Sequence, residues 1–319
     1  MILNQENVPP ETPQGRTCPS ILAVIVLYRM SPFQSPGFRS LLESSKALAP
    51  GDLRLKILVY DNAPERTPTF TLPDHVDYFP APQNDGIAGA YNYALRIAEV
   101  EAFGWLLTLD QDTTLPPQIL ARLAALTKTL EKNERVAAIV PQLVEGAKPI
   151  SPAYVGHWRP SNLPLGFTGI PDREITAFNS ATTWRVQHLL EIGGFDKRFW
   201  LDCLDHVLHN RTFRAGKQIY IAGDIKAEHE LSLRRISKGM TPARLENILL
   251  AESAFMDLYK SPVERALFTL RLVKQCCGRL LRREDLRLVQ KTLMVAVRQL
   301  LRTRRRRLKQ WEESLNDQH

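Results

Sequence analysis

Two aspartates, one residue apart, follow an apolar run in the first half of the chain. In the segment WLLTLDQDTTL, Asp110 and Asp112 come directly after a stretch that is typical of a buried strand. Carboxylate oxygens are hard ligands that fill part of an octahedral shell and leave positions for phosphate oxygens and water. The pair therefore suits a divalent cation bound together with a diphosphate. The alternative is an ordinary surface turn, because Asp-x-Asp turns are common.

The segments around this pair alternate between strand and helix patterns. Continuous β-branched and aliphatic runs predict buried strands, and amphipathic runs between them predict helices. The predicted strands are ILAVIVLY, LKILVYDNA, VDYFPAP, WLLTLD and VAAIVPQLV. This order predicts an α/β fold with a doubly wound, mostly parallel sheet, in which ligands bind at the carboxyl ends of the strands. Asp61 and Asp110 both fall at such ends.

Positive charge is concentrated in one C-terminal segment. The chain of 319 residues carries a formal net charge of +8, and residues 279–309 hold twelve Lys or Arg against Glu284 and Asp285. The remainder is therefore slightly acidic, which excludes a basic nucleic-acid-binding fold for residues 1–278. The hydrophobic fraction of 44% is ordinary for a globular domain.

Cysteine spacing and the start of the chain bear on the cellular compartment. Cys18, Cys203, Cys276 and Cys277 show neither CxxC spacing nor a disulfide pattern, so we expect a reducing cytosol and no zinc site. The N-terminus lacks the basic start and apolar core of a signal peptide, and we expect residues 1–19 to be a disordered lead-in. No apolar run reaches the roughly 18 residues that a spanning helix needs.

Six segments resemble, in order and spacing, the family 2 inverting glycosyltransferases, and most closely their bacterial rhamnosyltransferase-like branch. The resemblance covers about residues 20–235 and rests on VIVLYR, VYDNAP, QNDGIAGAYNYAL, LDQDTTL, residues 178–219 and EHELS. It implies a GT-A fold and transfer of a sugar from a nucleotide diphosphate donor to an acceptor hydroxyl, with inversion at the anomeric carbon. It also implies Mg²⁺ or Mn²⁺ as cofactor. The favoured donor is dTDP-rhamnose, with a UDP-sugar as the alternative, and the implied acceptor is a glycan or lipid-linked glycan in cell-surface polysaccharide synthesis.

The resemblance implies a donor-binding role for Tyr28, Arg29, Asp61, Asn84, Gly86, Asn92 and Asp110. Asp61 would accept hydrogen bonds from the nucleobase or ribose, and a turn role beside Asn62 is the alternative. Asn84 and Gly86 would let backbone N–H groups at a helix start approach phosphate, although a plain helix start explains them as well. For Asn92, the alternative is a capping or packing role.

The same resemblance assigns the metal ligands and the proton transfer. Asp112 and His229 are the implied ligands, and for His229 the alternative is an exposed loop histidine. Inversion in one displacement needs a base that takes the proton of the acceptor hydroxyl. Asp205 matches the catalytic carboxylate of the family, and Asp202 is an acidic neighbour. The alternatives are an N-cap role for Asp202 and a helix-dipole role for Asp205.

Two residues depart from the pattern of the family. Arg29 stands where the family usually has Asn, and Val207 stands where related rhamnosyltransferases often carry a second acid. A guanidinium still suits diphosphate recognition, whereas Val207 bears on acceptor recognition. The alternative function is therefore a catalytically silent sugar-nucleotide-binding or scaffold relative.

The pattern changes at about residue 240, beyond which only helical periodicity remains. We expect a catalytic domain over residues 20–239 and a helical, basic amphipathic extension over residues 240–319. A helical wheel places Arg287, Lys291, Arg298, Arg302 and Arg305 opposite Leu286, Val289, Leu293, Ala296 and Leu300. Such a helix can lie on an anionic surface, which predicts a cytoplasmic protein at the inner face of the cell membrane.

Two alternatives stand against the membrane interpretation of this helix. In the first, the apolar side packs on the catalytic domain and the arginines are solvated. In the second, the run RTRRRR binds nucleic acid. We disfavour the second and expect no nucleic-acid partner, because no recognised nucleic-acid module accompanies the run and aromatic residues are not interleaved with the charge.

Overall fold

The computed structural model describes residues 18–63, 71–156, 160–229 and 240–316. Residues 1–17 of the predicted lead-in and the last three residues of EHELS lie outside this part of the chain. The strands are β1 (Ser20–Leu27), β2 (Arg54–Asp61), β3 (Val76–Pro80), β4 (Trp105–Asp110), β5 (Thr113–Thr114), β6 (Val136–Glu145), β7 (Lys148–Ser151), β8 (Ala153–Tyr154), β9 (Ser161–Asn162), β10 (Ile175–Thr176), β11 (Thr182–Arg185) and β12 (Gln218–His229). The helices are α1 (Pro36–Lys46), α2 (Gly86–Val100), α3 (Ile119–Thr129), α4 (Val186–Glu191), α5 (Leu204–Arg214), α6 (Pro242–Tyr259), α7 (Pro262–Leu281), α8 (Leu286–Leu301) and α9 (Arg304–Asn316).

Nine of the described strands form one mixed sheet. Their order is β3-β2-β1-β4-β11-β6-β12-β5, and β7 pairs with β6. Strands β1 to β4 are parallel, as is the pair β6 and β12, whereas β11 runs antiparallel between β4 and β6. The parallel half agrees with the sequence prediction. The direction of β11 was not predicted, because the Pro- and Gly-rich segment that leads to it contains only the short strands β7 to β10 and, in its described part, no crossover helix.

Both faces of the sheet are covered, as the continuous apolar runs predict. In β1, Leu22 and Val24 join one core cluster, while Ile21 and Ile25 join the other. Helices α2, α4 and α5 cover the first face, and α1 and α3 cover the second. Successive side chains of a strand point to opposite faces, so a strand that is buried on both sides needs an unbroken apolar sequence.

The C-terminal helices extend the core of the sheet domain. Ala254 of α6 and Trp311 of α9 join the same core cluster as α2 and α5, and the Trp311 ring centroid lies 4.7 Å from that of Phe199. Arg307 of α9 lies 2.5 Å from Asp257, whose side chain is fully buried. In the described part of the chain, no helix combines the length and the apolar content that crossing a bilayer requires.

Helix α8 differs from the predicted division into a basic and an apolar side. Ala296 is buried as expected, but Leu286 and Leu300 are 71% and 69% exposed. The ammonium group of Lys291 lies 2.5 Å from a carboxylate oxygen of Glu246 in α6. A helical wheel of α8 alone contains no information about this carboxylate. Because Lys291 pairs with it, part of the basic side of α8 faces the protein, and large leucines are exposed to solvent instead.

Candidate active site

The pairing of β5 with β12 brings His229 to the Asp110–Asp112 segment. Strand β4 ends at Asp110, and the chain turns through Asp112 into β5, where Thr113 pairs with His229. The Nδ1 atom of His229 lies 3.7 Å from Oδ1 of Asp112 and 2.7 Å from Oγ1 of Thr113. One ligand atom from each of Asp110, Asp112 and His229 lies within 4.8 Å of the other two. We call these three residues the metal cluster.

The metal cluster has a donor set that fits a divalent cation. Two carboxylates and one imidazole suit Mn²⁺ or Mg²⁺, and the imidazole is the more usual ligand of a transition metal. Burial, followed by the charge of Asp112, raises the pKa of Asp110 to about 6. Two carboxylates this close together resist joint ionisation, and a cation between them relieves the repulsion.

Asp205 lies in the first turn of α5, beside the metal cluster. The Nδ2 group of Asn179 donates a hydrogen bond to Oδ1 of Asp205 at 3.2 Å. Burial, followed by the charge of Asp110, raises the pKa of Asp205 to about 7. A carboxylate with such a pKa can take up a proton near neutral pH, which is what a general base requires.

Tyr91 of α2 binds the metal cluster on the side of Asp110. Its hydroxyl donates to Oδ1 of Asp110 at 3.1 Å. Burial raises the pKa of Tyr91, and the charges of Asp110, Asp205 and Asp112 raise it further. Asn179, which binds Asp205, precedes Ser180, whose Oγ accepts a hydrogen bond from the N–H of Asp110 at 3.0 Å. Two motifs that are far apart in sequence therefore lie close together, and we call the region bordered by Tyr91, the metal cluster and Asp205 the Tyr91 cleft. Sequence reasoning missed this residue, because the helical pattern of GIAGAYNYAL does not distinguish Tyr91 from Tyr93.

Asp202, the second predicted acid, is held in an ion pair. Its two carboxylate oxygens bind both terminal guanidinium nitrogens of Arg244 in α6, one of them at 2.6 Å. Cys203, with a φ of 62°, occupies the N-cap position of α5, so the N-cap alternative for Asp202 is wrong. A carboxylate that is bound on both oxygens by a guanidinium is not free to take a proton from an acceptor. The ion pair with Arg244 therefore favours a structural role for Asp202 over the predicted catalytic one.

Asp61 closes a turn at the end of β2. Its Oδ1 accepts a hydrogen bond from the N–H of Ala63 at 2.9 Å, and its Oδ2 accepts one from the hydroxyl of Tyr78 at 2.6 Å. The residue is only 3% exposed. These contacts support the turn alternative, because a donor nucleotide could reach this carboxylate only by replacing the partners it has.

The N-terminus of α2 is capped by groups of the protein itself. Oδ1 of Asn84 accepts from the N–H of Gly86 at 3.0 Å, and the carbonyl oxygen of Trp200 accepts from the N–H groups of Ile87 and Ala88 at 2.8 and 3.2 Å. These contacts favour the plain helix start over the predicted approach of phosphate to these N–H groups, in which Asn84 and Gly86 are donor-binding residues. Gly86 instead admits Trp200, because a Cβ at this position would lie 2.5 Å from the Trp200 carbonyl oxygen.

Gly86→Ala is expected to lower the free energy of unfolding by about 2–5 kcal/mol. A left-handed backbone costs about 1–2 kcal/mol in a non-glycine residue, and overpacking costs about 1–3 kcal/mol. Gly51→Ala is the matched control, because Gly51 also has a positive φ but an added Cβ meets nothing within 4 Å. Urea unfolding of both variants separates the two costs, and equal losses would show that Trp200 yields without penalty.

The side chain of Asn92 in α2 binds the backbone of the loop that precedes α5. Its Nδ2 donates to the carbonyl oxygen of Phe195 at 2.7 Å, and its Oδ1 accepts from the N–H of the same residue at 3.0 Å. The amide is thus matched to the backbone of one residue. These contacts favour the packing alternative over the predicted donor-binding role of Asn92.

Tyr28 and Arg29 follow β1 and lie beside the metal cluster. The N–H of Tyr28 donates to Oε1 of Gln111, the residue between the two aspartates, at 2.9 Å. Tyr28 is 44% exposed, and the guanidinium carbon of Arg29 lies 5.0 Å from the centroid of its ring. Both side chains are exposed where β1 ends, next to the segment that links the two aspartates.

Val207, the second departure from the family pattern, belongs to the core. It is 1% exposed and packs in the cluster that contains Leu204 and Leu208. An acid at this position would have to be desolvated among apolar side chains. Because residue 207 lies in the core, having valine here instead of an acid does not take a polar group away from the Tyr91 cleft.

A protein-family model matches the part of the chain that contains Asp110 and Asp112. Residues 24–169 match the model of glycosyl transferase family 2. The match supports the family that the sequence resembles and does not extend to the rhamnosyltransferase-like branch. Together with the mixed sheet and the C-terminal helices, the family 2 match confirms the predicted GT-A fold class.

Solved structures with some likeness to this chain include TarS 1–349 of S. aureus, which is 13% identical with a TM-score of 0.47 over 94% of this chain and 92% of that chain. TarS 1–349 in complex with UDP is 12% identical, with a TM-score of 0.45 over 78% of this chain and 69% of that one. GalNAc-T7 with UDP, GalNAc and Mn²⁺ is 13% identical with a TM-score of 0.48, and the match covers 66% of this chain and 43% of that one. A search of curated proteins finds no match. Identities and TM-scores this low say nothing about the substrate of this chain.

Proposed function

We propose that this protein is a metal-dependent, inverting glycosyltransferase of family 2, which moves a sugar from a nucleotide diphosphate donor to a glycan or lipid-linked glycan. The observation that carries the proposal is the Tyr91 cleft, because it holds both the metal cluster and Asp205. A cation site can stabilise the departing diphosphate, and a base that titrates near neutral pH can take the proton of the acceptor hydroxyl, as a single displacement at an anomeric carbon needs.

The residues of the cleft have separate tasks. The metal cluster holds the cation, which when bound stabilises negative charge on the departing diphosphate. Deprotonated Asp205 takes the proton of the acceptor hydroxyl while that oxygen attacks the anomeric carbon from the face opposite the leaving group. Asn179 orients the carboxylate of Asp205 through its hydrogen bond. Inversion follows because bond formation and bond cleavage occur on opposite faces of the sugar.

The donor is proposed to be dTDP-rhamnose, with a UDP-sugar as the alternative. This choice rests on the resemblance of the six sequence segments to the rhamnosyltransferase-like branch. Arg29 is exposed at the end of β1, and its guanidinium suits the diphosphate of either donor. The imidazole of His229 favours Mn²⁺ over Mg²⁺ as the cation.

A thermal-shift screen tests the proposed function. UDP, dTDP and their sugars are added with Mn²⁺, Mg²⁺ or EDTA, and donor hydrolysis is measured in the same samples. A ligand at 100 times its Kd adds about 2.7 kcal/mol of stability, so we expect Tm to rise by about 5 °C or more with one nucleotide and Mn²⁺, and not with EDTA. No shift across the panel would contradict the proposal. Binding without hydrolysis or transfer would favour the silent scaffold alternative.

We also propose that the protein binds the inner face of the cell membrane. In this proposal, the helical hairpin of α7 and α8 lies on the anionic lipid headgroups. Its outer side carries exposed apolar residues, namely Leu270, Val273, Leu280, Leu281, Leu286, Leu293, Met294, Val297, Leu300 and Leu301. Arg282, Arg283 and Arg287 are exposed at the tip of the hairpin. Interfacial helices insert such apolar faces at the headgroup level, and basic residues at the rim contact anionic lipids.

The double variant Leu281→Ser, Leu286→Ser is expected to weaken binding to vesicles of phosphatidylglycerol and phosphatidylcholine by about tenfold or more. These leucines are 85% and 71% exposed, and full burial of a leucine is worth about 1.5–3 kcal/mol. Val100→Ser, at an 84% exposed apolar residue at the end of α2, is the control. Co-sedimentation measures binding, and equal pelleting of all three proteins would contradict membrane docking by this hairpin.

A further inference from the structure

Ser180 lies just before β11 and binds the end of β4. The antiparallel register of these two strands sets Thr182 opposite Thr108. Continued by two residues, this register places Ser180 opposite Asp110. At this point the hydroxyl of Ser180 accepts a hydrogen bond from the N–H of Asp110 at 3.0 Å. A serine side chain therefore satisfies the N–H group that ends β4, beyond the first residue of β11.

The same hydroxyl also contacts the residue that follows the aspartate pair. Oγ of Ser180 and Oγ1 of Thr113 lie 2.6 Å apart, which is a hydrogen-bond distance, and Thr113 is the first residue of β5. Residues 110–113 carry both aspartates of the metal cluster. Ser180 therefore binds this segment at both of its ends. We call Ser180 and Thr113 the hydroxyl pair.

The hydroxyl pair continues to the imidazole of the metal cluster. Oγ1 of Thr113 lies 2.7 Å from Nδ1 of His229. The ring of Phe178, two residues before Ser180, also packs near this imidazole, with the two ring centroids 5.9 Å apart. A hydrogen bond and a ring contact therefore both limit the orientations that the imidazole can adopt. A metal-binding histidine needs such a partner, because the contact on one ring nitrogen fixes the direction of the other.

The residue before Ser180 binds the proposed base. Nδ2 of Asn179 donates to Oδ1 of Asp205 at 3.2 Å. The carbonyl oxygen of Asn179 accepts a hydrogen bond from the hydroxyl of Thr108 at 2.6 Å, which fixes this residue to β4. Three consecutive residues, 178–180, therefore contact both the metal cluster and the acid of α5.

Burial separates the hydroxyl pair from any substrate in the Tyr91 cleft. Ser180 is 1% exposed and Thr113 is fully buried. A hydroxyl supplies one donor and two acceptor positions, and the contacts with Asp110, with His229 and within the pair use most of them. Any effect of these two hydroxyls on the reaction must therefore act through the residues that they bind.

We propose that Ser180 and Thr113 are positioning residues of the metal cluster, an inference that rests on the proposed function of the Tyr91 cleft. Ser180 holds the backbone of Asp110, and Thr113 holds the imidazole of His229, so that the ligands of the cation keep one arrangement. Removal of a partner that binds a metal ligand, but not the metal, changes metal affinity or activity by about 10–100-fold. Because Asn179 is adjacent to Ser180, the same turn sets the place of Asp205 relative to the metal cluster.

Ser180→Ala tests the first hydroxyl, and Ser44→Ala is its matched control. Ser44 of α1 is also a serine with 1% exposure whose Oγ accepts from a backbone N–H group, that of Leu120 at 3.2 Å. Each variant leaves a buried N–H group without its acceptor, but of the two serines only Ser180 binds a residue of the metal cluster. Thr113→Val tests the second hydroxyl and serves on its own if Ser180→Ala is unstable.

Electron paramagnetic resonance of Mn²⁺, added to the full chain alone and with UDP, measures cation binding without relying on activity. We expect the wild type and Ser44→Ala to share one Kd for Mn²⁺, and Ser180→Ala and Thr113→Val to bind about 10–100-fold more weakly. Thr113→Val should weaken binding less in a His229→Ala background than in the wild type, because its hydroxyl acts through that ring. Urea unfolding without metal verifies that each variant is folded.

The positioning proposal and the proposed function fail in different ways. Wild-type Mn²⁺ affinity in both Ser180→Ala and Thr113→Val would overturn only the positioning proposal, as would an equal loss of affinity in Ser44→Ala or an undiminished effect of Thr113→Val in the His229→Ala background. If the wild type binds no Mn²⁺ with or without UDP, the metal cluster is rejected, and the positioning role is rejected with it. If the hydroxyl pair controls Mn²⁺ affinity but no sugar is transferred, the transferase function fails and the positioning role in cation binding stands.

Discussion

Asp205→Asn is expected to slow sugar transfer by about 10²–10⁴-fold, which is the range that a positioned general base contributes. The amide keeps the shape of the side chain and an oxygen that can accept the hydrogen bond from Asn179, but it cannot take a proton from the acceptor. Stabilisation by nucleotide and Mn²⁺ should persist, because the metal cluster is unchanged. Initial rates of transfer, measured beside thermal shifts, distinguish loss of chemistry from loss of binding.

Asp202→Asn is the matched control for this variant, since both residues are acids of the same sequence segment. The carboxylate of Asp202 is bound by Arg244, so its replacement should lower stability and leave most of the transfer rate. Equal losses of rate in the two variants, at equal stability, would show that Asp205 is not the base.

The pH dependence of transfer provides a second measurement on Asp205. Burial and the charge of Asp110 raise its pKa to about 7, and a base acts only in its deprotonated form. Transfer should therefore rise as the pH increases through about 7 and fall as Asp205 is protonated at lower pH. A bound cation offsets the charge of Asp110, which moves this midpoint downward. The residual activity of Asp205→Asn should lack the step.

Asp112→Asn is expected to weaken Mn²⁺ binding at least about tenfold and to slow transfer by about 10²-fold or more. Asp112 contributes one of two carboxylates to the metal cluster, 3.7 Å from Nδ1 of His229. A neutral amide is a poorer ligand for a hard cation, and loss of one charge-stabilising contact costs about 10²–10³-fold in rate. The Mn²⁺ concentration at half-maximal thermal shift, with UDP or dTDP present, measures the binding part without relying on activity.

Asp74→Asn is a suitable control for Asp112→Asn, because Asp74 is an exposed aspartate just before β3 and away from the metal cluster. It should leave the Mn²⁺ midpoint unchanged. If Asp112→Asn also kept the wild-type midpoint, a cation site built on this aspartate pair would be ruled out.

The parts of the site that local pattern could predict are those that depend on one segment alone. The unbroken apolar sequence of β1 predicted burial on both faces, and the apolar run before Asp110 predicted that this residue ends a strand. Such predictions succeed because alternation along a strand and burial of apolar surface act within a few residues of each other. For the same reason, the order of predicted strands and helices was sufficient for the fold class.

Local pattern left the role of a residue open where the partner of its side chain lies far away in sequence. Gly86 has the sequence context of a phosphate-binding helix start, but the carbonyl of Trp200 takes the N–H groups of Ile87 and Ala88. Asn92 binds the backbone of Phe195, and Asp202 binds Arg244. Each residue type was compatible with both roles, and only the packed neighbour distinguishes them.

The amino-acid sequence by itself determined that this chain forms an α/β sheet with acidic residues at the carboxyl ends of its strands, because periodicity and chain order suffice for that. Tertiary structure alone decided which of those residues meet. The register of β5 against β12 sets His229 beside Asp112, the hydroxyl of Tyr91 binds Asp110, and α6 supplies the guanidinium that neutralises Asp202. These outcomes depend on contacts between segments, which local periodicity does not specify.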